Sequence, residues 1–392
     1  MDPNQVAWVW QDPGWPQLTF DAATIAPILN AARFAQGKLV GMRAAIGLDE
    51  TGRTGGEVWV GDALATAAIE GERLNADAVR SSVARRMGIS APHVNATRAV
   101  EGLLDVMTDA AGNWDTPLTN ARICKWQAAL FPDDGARLVS IKTGAYRTHA
   151  EPMQIVSGPT VSESIGRETI HYQAPSSANV AVEMAHFLAW FNKTRPTSAG
   201  APLDGLVRAG LAHLWFEIIH PFEDGNGRVG RAVIDLALAQ DFQRDTRMWG
   251  VSAALLRQQT NYYAALNAAS RSGANVTVWL VWFLQVFREA CEHSTGLIAV
   301  TVARAQFWAT HRAVAINERQ RKALEKLLDA GPGQFAGGMT PRKYQSLVGT
   351  TGVTATRDLA SLAESGLLTR RGAGRSTYYE INISGWEWVI EK

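Results

Sequence analysis

An apolar run at helical spacing that stops on His-Pro and resumes after a glycine turn narrows the folds open to this chain. Leu206, Val207, Leu211, Leu214, Trp215, Ile218 and Ile219 recur three or four residues apart, the period of one helical face. The turn reads HPFEDGNGRVGR, from His220 to Arg231, and a second helical pattern runs from Val229 to Gln240. Gly225, Gly227 and Gly230 have the spacing of a dinucleotide fingerprint, while Asp224 with Asn226 opens like a calcium loop. A dinucleotide site needs a strand before its glycines and a ribose-binding acid about 20 residues on. Here a helix precedes them. A calcium loop needs an oxygen ligand at its fifth position and glycine at its sixth, where this chain has Arg228 and Val229. Both readings fail.

What survives is the chemistry of an anion site. Glycines expose successive backbone N–H groups, and the helix beginning near Arg228 directs its positive end at the turn. Arg228 and Arg231 are three apart, so their guanidiniums share a face and can clamp two neighbouring phosphates. A carboxylate among phosphates repels them unless a cation lies between, so Asp224 points to a Mg²⁺ bridging carboxylate and phosphate oxygens. The turn suits a Mg-nucleotide polyphosphate. His220 ends the incoming helix four residues before Asp224, where an imidazole can take a proton from an attacking hydroxyl.

The rest of the chain is consistent with a helical, soluble protein. Its 392 residues, 46% hydrophobic and 19% charged, hold enough apolar material for two or three packed domains. A net charge of +1 selects no polyanionic partner for the molecule as a whole. No basic leader with an apolar core follows Met1, and the apolar stretch near Val276 to Phe287 is shorter than the roughly 20 residues of a membrane span. A cytoplasmic location without membrane contact is therefore expected. Cys124 and Cys291 show no CxxC or His spacing and read as core thiols, and most of the 14 tryptophans read as packing residues.

The expected organisation is mostly α. A Trp-rich start gives way to a helix from Asp21 to about Gly41; GLDETGRTGG then reads as a turn, and a helix enters near Asp62 and ends around Gly71. A helix from Leu118 to Leu130 precedes GAYRTHAEPMQIVSGPT, whose short alternating runs suggest a hairpin. Helices follow at Asn179–Asn192, Gly205–Ile219, Val229–Gln240, Leu255–Ser270 and Thr277–Glu292, with another running to about Ala315. Beyond it, three helices each ended by Gly and two strands around a basic turn match a winged helix. Arg357, Arg370, Arg371 and Arg375 are its candidates for DNA contact. Asp358 and Glu364 lie on the reading helix, so a protein-docking or packing role is favoured over DNA. The regions are then 1–112, 113–316 and 317–392.

The residues His220 to Arg231 resemble the Fic family signature, His-x-Phe-x-Asp/Glu-Gly-Asn-Gly-Arg-x-x-Arg, and satisfy every specified position. GAYRT with PMQIVSG is similar to the family's flap hairpin, and NYYAALNAAS with TVWLVWFL to its later helices, so the resemblance covers roughly residues 113–310. It implies a Fic-type helical core with a small β-hairpin flap, and transfer of AMP from ATP to a Ser, Thr or Tyr hydroxyl of a protein, the enzyme itself included. His220 would be the general base and Asp224 the Mg²⁺ ligand. Gly225, Asn226 and Gly227 would form the anion hole of a nucleotide site running through Val229 and Gly230, with Arg228 and Arg231 on the β- and γ-phosphates. Met153, Gln154, Ile155, Val156, Ser157 and Gly158 would be the flap edge that docks the target. Tyr262 and Tyr263 are candidates for the adenine end, with plain helix packing as the alternative. Ser270 stands where many relatives have Asn, which puts the ribose or base contacts in question.

Thr66-x-x-x-Glu70-Gly71 resembles the family's inhibitory motif, on the helix at about 62–71. Glu70 would pair with Arg231 and withhold it from the γ-phosphate. The implied partners are ATP, a target protein and a second copy of the chain. Two other readings stand beside AMP transfer: removal of AMP with Glu70 orienting water, and a nucleotide-sensing regulator that binds DNA through the winged helix. The phosphate turn does not read the base, so UMP or phosphocholine as the transferred group stays open.

Overall fold

The protein is described here by a computed structural model covering residues 8–45, 48–90, 92–132, 141–157, 169–196, 203–243 and 248–387. Among these residues there are fourteen α-helices and two antiparallel strand pairs. Helices α1 (Ala22–Ala45), α2 (Leu48–Ile69), α3 (Ala76–Arg86), α4 (Arg98–Gly112) and α5 (Asn120–Leu130) precede strands β1 (Gln154–Ser157) and β2 (Thr169–Gln173). Then come α6 (Val180–Lys193), α7 (Gly205–Ile219), α8 (Asn226–Phe242), α9 (Val251–Arg257), α10 (Gln259–Ala269) and α11 (Thr277–Thr310). The chain continues through α12 (Glu318–Ala330), α13 (Pro341–Val348), α14 (Gly352–Glu364), β3 (Leu368–Arg371) and β4 (Tyr378–Ile381). It divides into two compact units, Met1–Thr295 and Gly296–Lys392. No described helix is long and apolar enough to cross a membrane.

The first unit is built around α7. Asp204 caps it, its carboxylate accepting from Leu206 N at 2.8 Å, and every residue of the helix except Glu217 is buried. A helix apolar on all sides must lie inside the core. Helix α8 packs along it, with α2, α4 and α5 against α8, and α6 against α7. Gly102 lets α4 approach α5 closely, since a Cβ there would collide with the Ala129 carbonyl. The Trp-rich start clamps the strand pair: Trp10 Nε1 donates to Gln173 O at 2.8 Å, and the Trp8 ring meets Tyr172 edge-on at 5.4 Å.

Several boundaries differ from the sequence reading. GLDETGRTGG lies largely within α2, which starts at Leu48 and not at Asp62. Glycine disfavours helix, yet Gly56 is buried with Met87 Sδ 3.3 Å from where a Cβ would stand, so close packing against α3 overrides propensity. The hairpin partner of QIVS is Thr169–Gln173 and not GAYRT, with an irregularity in register between Ile155 and Val156. The helix expected over Leu255–Ser270 is two helices, α9 and α10. They part at Gln258, which leaves helical geometry (φ −117°) and donates through Nε2 to Glu289 at 2.5 Å. The break expected after Glu292 is bridged within α11, where Thr295 Oγ1 donates to Cys291 O at 2.7 Å.

The second unit has the element order read from its sequence, three helices followed by two antiparallel strands, with Met339 bridged to Tyr379. Its core holds Leu324, Leu328, Tyr344, Leu359, Tyr379 and also Phe307, which lies before α12. Asp358, which the sequence places on the reading helix, is buried and held by Tyr344 Oη at 2.9 Å and Arg319 Nε at 3.1 Å. Arg357 and Arg370 are exposed, and Arg371 pairs with Glu380 at 3.0 Å; the Arg375 side chain lies outside the described residues.

Candidate active site

Helix α7 ends at His220, which adopts the left-handed conformation (φ 49°, ψ 61°). Pro221 follows, and a residue before proline is disfavoured in the α region, so the chain leaves the helix there. The turn that follows is closed by Asn226: its Oδ1 accepts from Phe222 N at 2.9 Å and its Nδ2 donates to Phe222 O at 2.8 Å. The Asn226 side chain is thus committed to the turn, and a ligand would meet its backbone N–H. Gly225 (φ 86°) caps α8, and a Cβ on it would stand 2.7 Å from the Phe131 ring. The first N–H of α8 with a carbonyl partner is that of Val229, on Gly225 O at 3.0 Å. Those of Asn226, Gly227 and Arg228 precede it and form the donor end of a helix. Gln127 steadies the turn from α5, its Nε2 donating to Asp224 O at 3.2 Å.

Arg231 is 3% exposed. Its Nε donates to Thr66 Oγ1 at 2.6 Å, and its Nη2 to Thr66 O at 2.9 Å and to Glu70 Oε1 at 2.8 Å. Its Nη1 is buried without a partner. Arg228 lies 4.8 Å above the Phe131 ring and donates through Nη1 to Glu72 Oε1 at 2.9 Å, leaving Nε unpartnered. Both arginines of the turn therefore take a carboxylate from the end of α2, although sequence reading found only Glu70. The left-handed Gly71 (φ 77°) ends that helix, and a Cβ on Gly227 would collide with Glu70. Helix α10 holds the same end: Gln259 Nε2 and Tyr263 Oη both donate to Ile69 O, at 2.9 and 3.1 Å.

A cavity of about 660 Å³ opens on this turn, lined by Glu70, Tyr172, Glu217, His220, Gly227, Arg231, Tyr262, Tyr263 and Ser270 among others. Tyr262 is buried, its hydroxyl 2.7 Å from His213 Nε2 and its ring stacked on Trp282, while Tyr263 is about half exposed. Burial pushes His220 down to about 4, with the neighbouring Arg147 adding to the shift. It pushes Glu217 up to about 8, against the pull of Arg231. Near neutrality the His220 ring is uncharged and free to accept a proton, and Glu217, one turn before it, is a neutral acid. Glu217 faces two imidazoles, His213 Nδ1 and His220 Nδ1, each at 3.9 Å. Its spacing of three from His220 is the signal that could have found it. Arg147, which bonds the His220 carbonyl at 2.8 Å, lies in GAYRT, a stretch the sequence marked only as part of the hairpin.

Asp224 is at the lip, its side chain 54% exposed and 3.8 Å from Arg228 Nη2. No group of three or more metal-ligating side chains occurs among the described residues, so a cation here would draw most of its oxygens from phosphate and water. The partnerless Arg231 Nη1 and the glycine-lined donor end of α8 fit such a polyphosphate. Of the flap residues, Met153 O accepts from Ala174 N at 2.9 Å and Gln154 Nε2 donates to Gln173 Oε1 at 2.9 Å. The side chains of Ile155, Val156 and Ser157, and all of Gly158, lie outside the described residues.

Residues 8–89 match the model of a domain of unknown function (DUF4172), and residues 117–238 match that of the Fic/DOC family. The chain is 36% identical over 76 residues to a probable protein adenylyltransferase of Aquifex aeolicus, a match spanning 19% of this chain and 21% of the relative. It therefore spans about a fifth of that relative's length. Among solved structures it is similar to a Fic family protein from Desulfovibrio desulfuricans G20, with 19% identity and a TM-score of 0.53 over 93% of this chain and 98% of that one. A Fic domain containing signaling protein from Bacteroides thetaiotaomicron VPI-5482 is 17% identical, with a TM-score of 0.49 over 69% and 97%. The fold is thus the mostly helical Fic fold with a small antiparallel strand pair, and the part of the chain that matches the Fic/DOC family model, residues 117–238, holds the His220–Arg231 turn.

Proposed function

We propose that the protein transfers AMP from ATP to a hydroxyl of a protein side chain and is held back by its own α2. The observation that carries this reading is the Arg231 guanidinium: it lines the cavity beside a neutral His220, keeps one buried nitrogen unpartnered, and is bonded to Glu70 at 2.8 Å. In the reaction a target hydroxyl oxygen attacks the α-phosphorus of ATP, its proton passes to the His220 ring, and the bond to the bridging oxygen breaks to release pyrophosphate. The acceleration comes from alignment and charge neutralisation. The donor end of α8 meets developing negative charge, and Arg228 and Arg231 hold the β- and γ-phosphates. Asp224 would hold Mg²⁺, which when bound neutralises phosphate charge. Tyr262 and Tyr263 wall the side of the cavity assigned to the base.

Glu70 opposes this by occupying the guanidinium that a γ-phosphate needs. With α-labelled ATP and Mg²⁺, the Glu70→Gly protein is expected to label itself at least tenfold faster than wild type, and His220→Ala in that background to abolish the labelling. Equal labelling by Glu70→Gly and wild type would overturn the inhibitory role; labelling that survives His220→Ala would overturn the role of the base. A hydrolytic reading rests on Glu70 lining the same cavity as His220, which lets it orient a water. It requires Glu70-dependent loss of AMP from a protein already modified.

A further inference from the structure

Arg147 is 1% exposed, yet none of its hydrogen bonds goes to a carboxylate. Its Nε donates to His220 O at 2.8 Å, and its Nη2 to Ile219 O at 3.2 Å and to Pro175 O at 2.6 Å. Its Nη1 donates to Ser177 Oγ at 2.9 Å, and its backbone N–H to Pro221 O at 2.9 Å. A buried cation without a counter-ion is costly, so the carbonyls it gathers need an explanation. Two of them, Ile219 O and His220 O, are the last of α7, where the helix dipole places negative charge. They are also the carbonyls around the one strained position of the turn: among described residues only His220 and Gln243 are non-glycine residues with positive φ.

The remaining bonds lead to the strand pair. Pro175 and Ser177 follow β2 directly, and Tyr172 on β2 donates its hydroxyl to Ile218 O. Ala174 N donates to Met153 O, so the two ends of the β1–β2 segment meet at the same place. The consecutive carbonyls of Ile218, Ile219 and His220 are thus all held by Arg147 and Tyr172, and the guanidinium reaches onward to Pro175 O and Ser177 Oγ.

We propose that Arg147 is a positioning residue that fixes the His220 backbone against β1–β2, so that a target segment docked on the strand pair presents its hydroxyl to a ring set at a constant distance. This rests on the AMP-transfer reading and adds to it that the docking element and the base are one rigid piece. Arg147 touches no reacting atom.

The test uses the full-length Glu70→Gly protein as reference. Adding Arg147→Ala is expected to lower the self-labelling rate at saturating ATP by about 10²-fold, the scale of a misplacement near 1 Å. The half-saturating ATP concentration should stay within about twofold, because the phosphate clamp is intact. Millimolar guanidinium should restore part of the rate, and Arg147→Lys should fall between. In protein labelled at histidine, the His220 ring resonances should shift in Arg147→Ala while those of His213 stay in place. An unchanged rate in Arg147→Ala overturns the proposal, and so does a rate loss matched by lost ATP binding that guanidinium does not relieve. If Glu70→Gly labels nothing, the transfer reading fails, and the His220 resonance alone decides Arg147: an unmoved signal overturns it.

Discussion

Glu217 and His220 stand one helical turn apart with their protonation displaced in opposite directions, to about 8 and about 4. Burial is the main cause for both, and the result is that both side chains are uncharged near neutrality. This has a consequence for stability. The folded chain keeps on Glu217 a proton that the unfolded chain releases above the ordinary 4.5, so stability is lost as pH rises toward 8. His213 and His220, pushed down to about 3 and about 4, act the other way below the ordinary 6.5, where the unfolded chain takes protons the folded one refuses. Between pH 6.5 and 8 the Glu217 effect is left alone, with a slope of at most about 1.4 kcal/mol per pH unit. Urea unfolding at these two pH values should show wild type weakening and Glu217→Gln holding level. Parallel curves for the two proteins would mean that Glu217 is ionised in the fold.

At the level of elements, the end of α2 meets α8 through two acids of unequal weight. The two pairs are similarly buried, Arg231 and Glu70 at 3% and 32% exposed and Arg228 and Glu72 at 5% and 43%, but Glu70 and Arg231 line the cavity. Glu72 is the more open acid and is not among the residues lining the cavity, so Glu72→Ala should raise labelling no more than about fivefold, on the order of 1 kcal/mol, well below Glu70→Gly. A Glu72→Ala rate equal to that of Glu70→Gly would shift the centre of inhibition to Arg228. Much of this site was legible in the sequence because its chemistry is local: α7, the glycine turn and α8 are contiguous, so apolar period and residue type together define the cradle. What escaped came from far along the chain. Glu72, Gln127 and Arg147 reach the turn only through tertiary packing: Glu72 follows the Glu70-Gly71 motif and Arg147 lies in GAYRT, yet neither stretch by itself says that these side chains meet the turn. The strand partner of QIVS escaped although TIHYQ alternates polar and apolar residues, because it lies farther along the chain than the roughly two to five residues of an ordinary hairpin loop, and the start of α2 because Gly56, which reads as part of a turn, is buried in helix packing.

For the molecule as a whole, the second unit has its own core, and Phe307 belongs to it although it precedes α12. A fragment of residues 296–392 is therefore expected to unfold cooperatively, and one of 317–392 to be weaker by about 3–5 kcal/mol, the usual effect of removing a buried Phe. Thermal melts of the two fragments would check this, and equal midpoints would place Phe307 outside the working core. In the first unit, the proposed inhibitor and the site it blocks belong to one covalent chain. The local concentration of Glu70 at Arg231 is then set by the path between them and not by the amount of protein. Under the proposed inhibition ATP would bind only the fraction of molecules whose guanidinium is released, and the apparent dissociation constant of wild type would exceed that of Glu70→Gly by the inverse of that fraction. That ratio would be a set-point independent of dilution, and its logarithm would give the free energy of the proposed hold of α2 on the site.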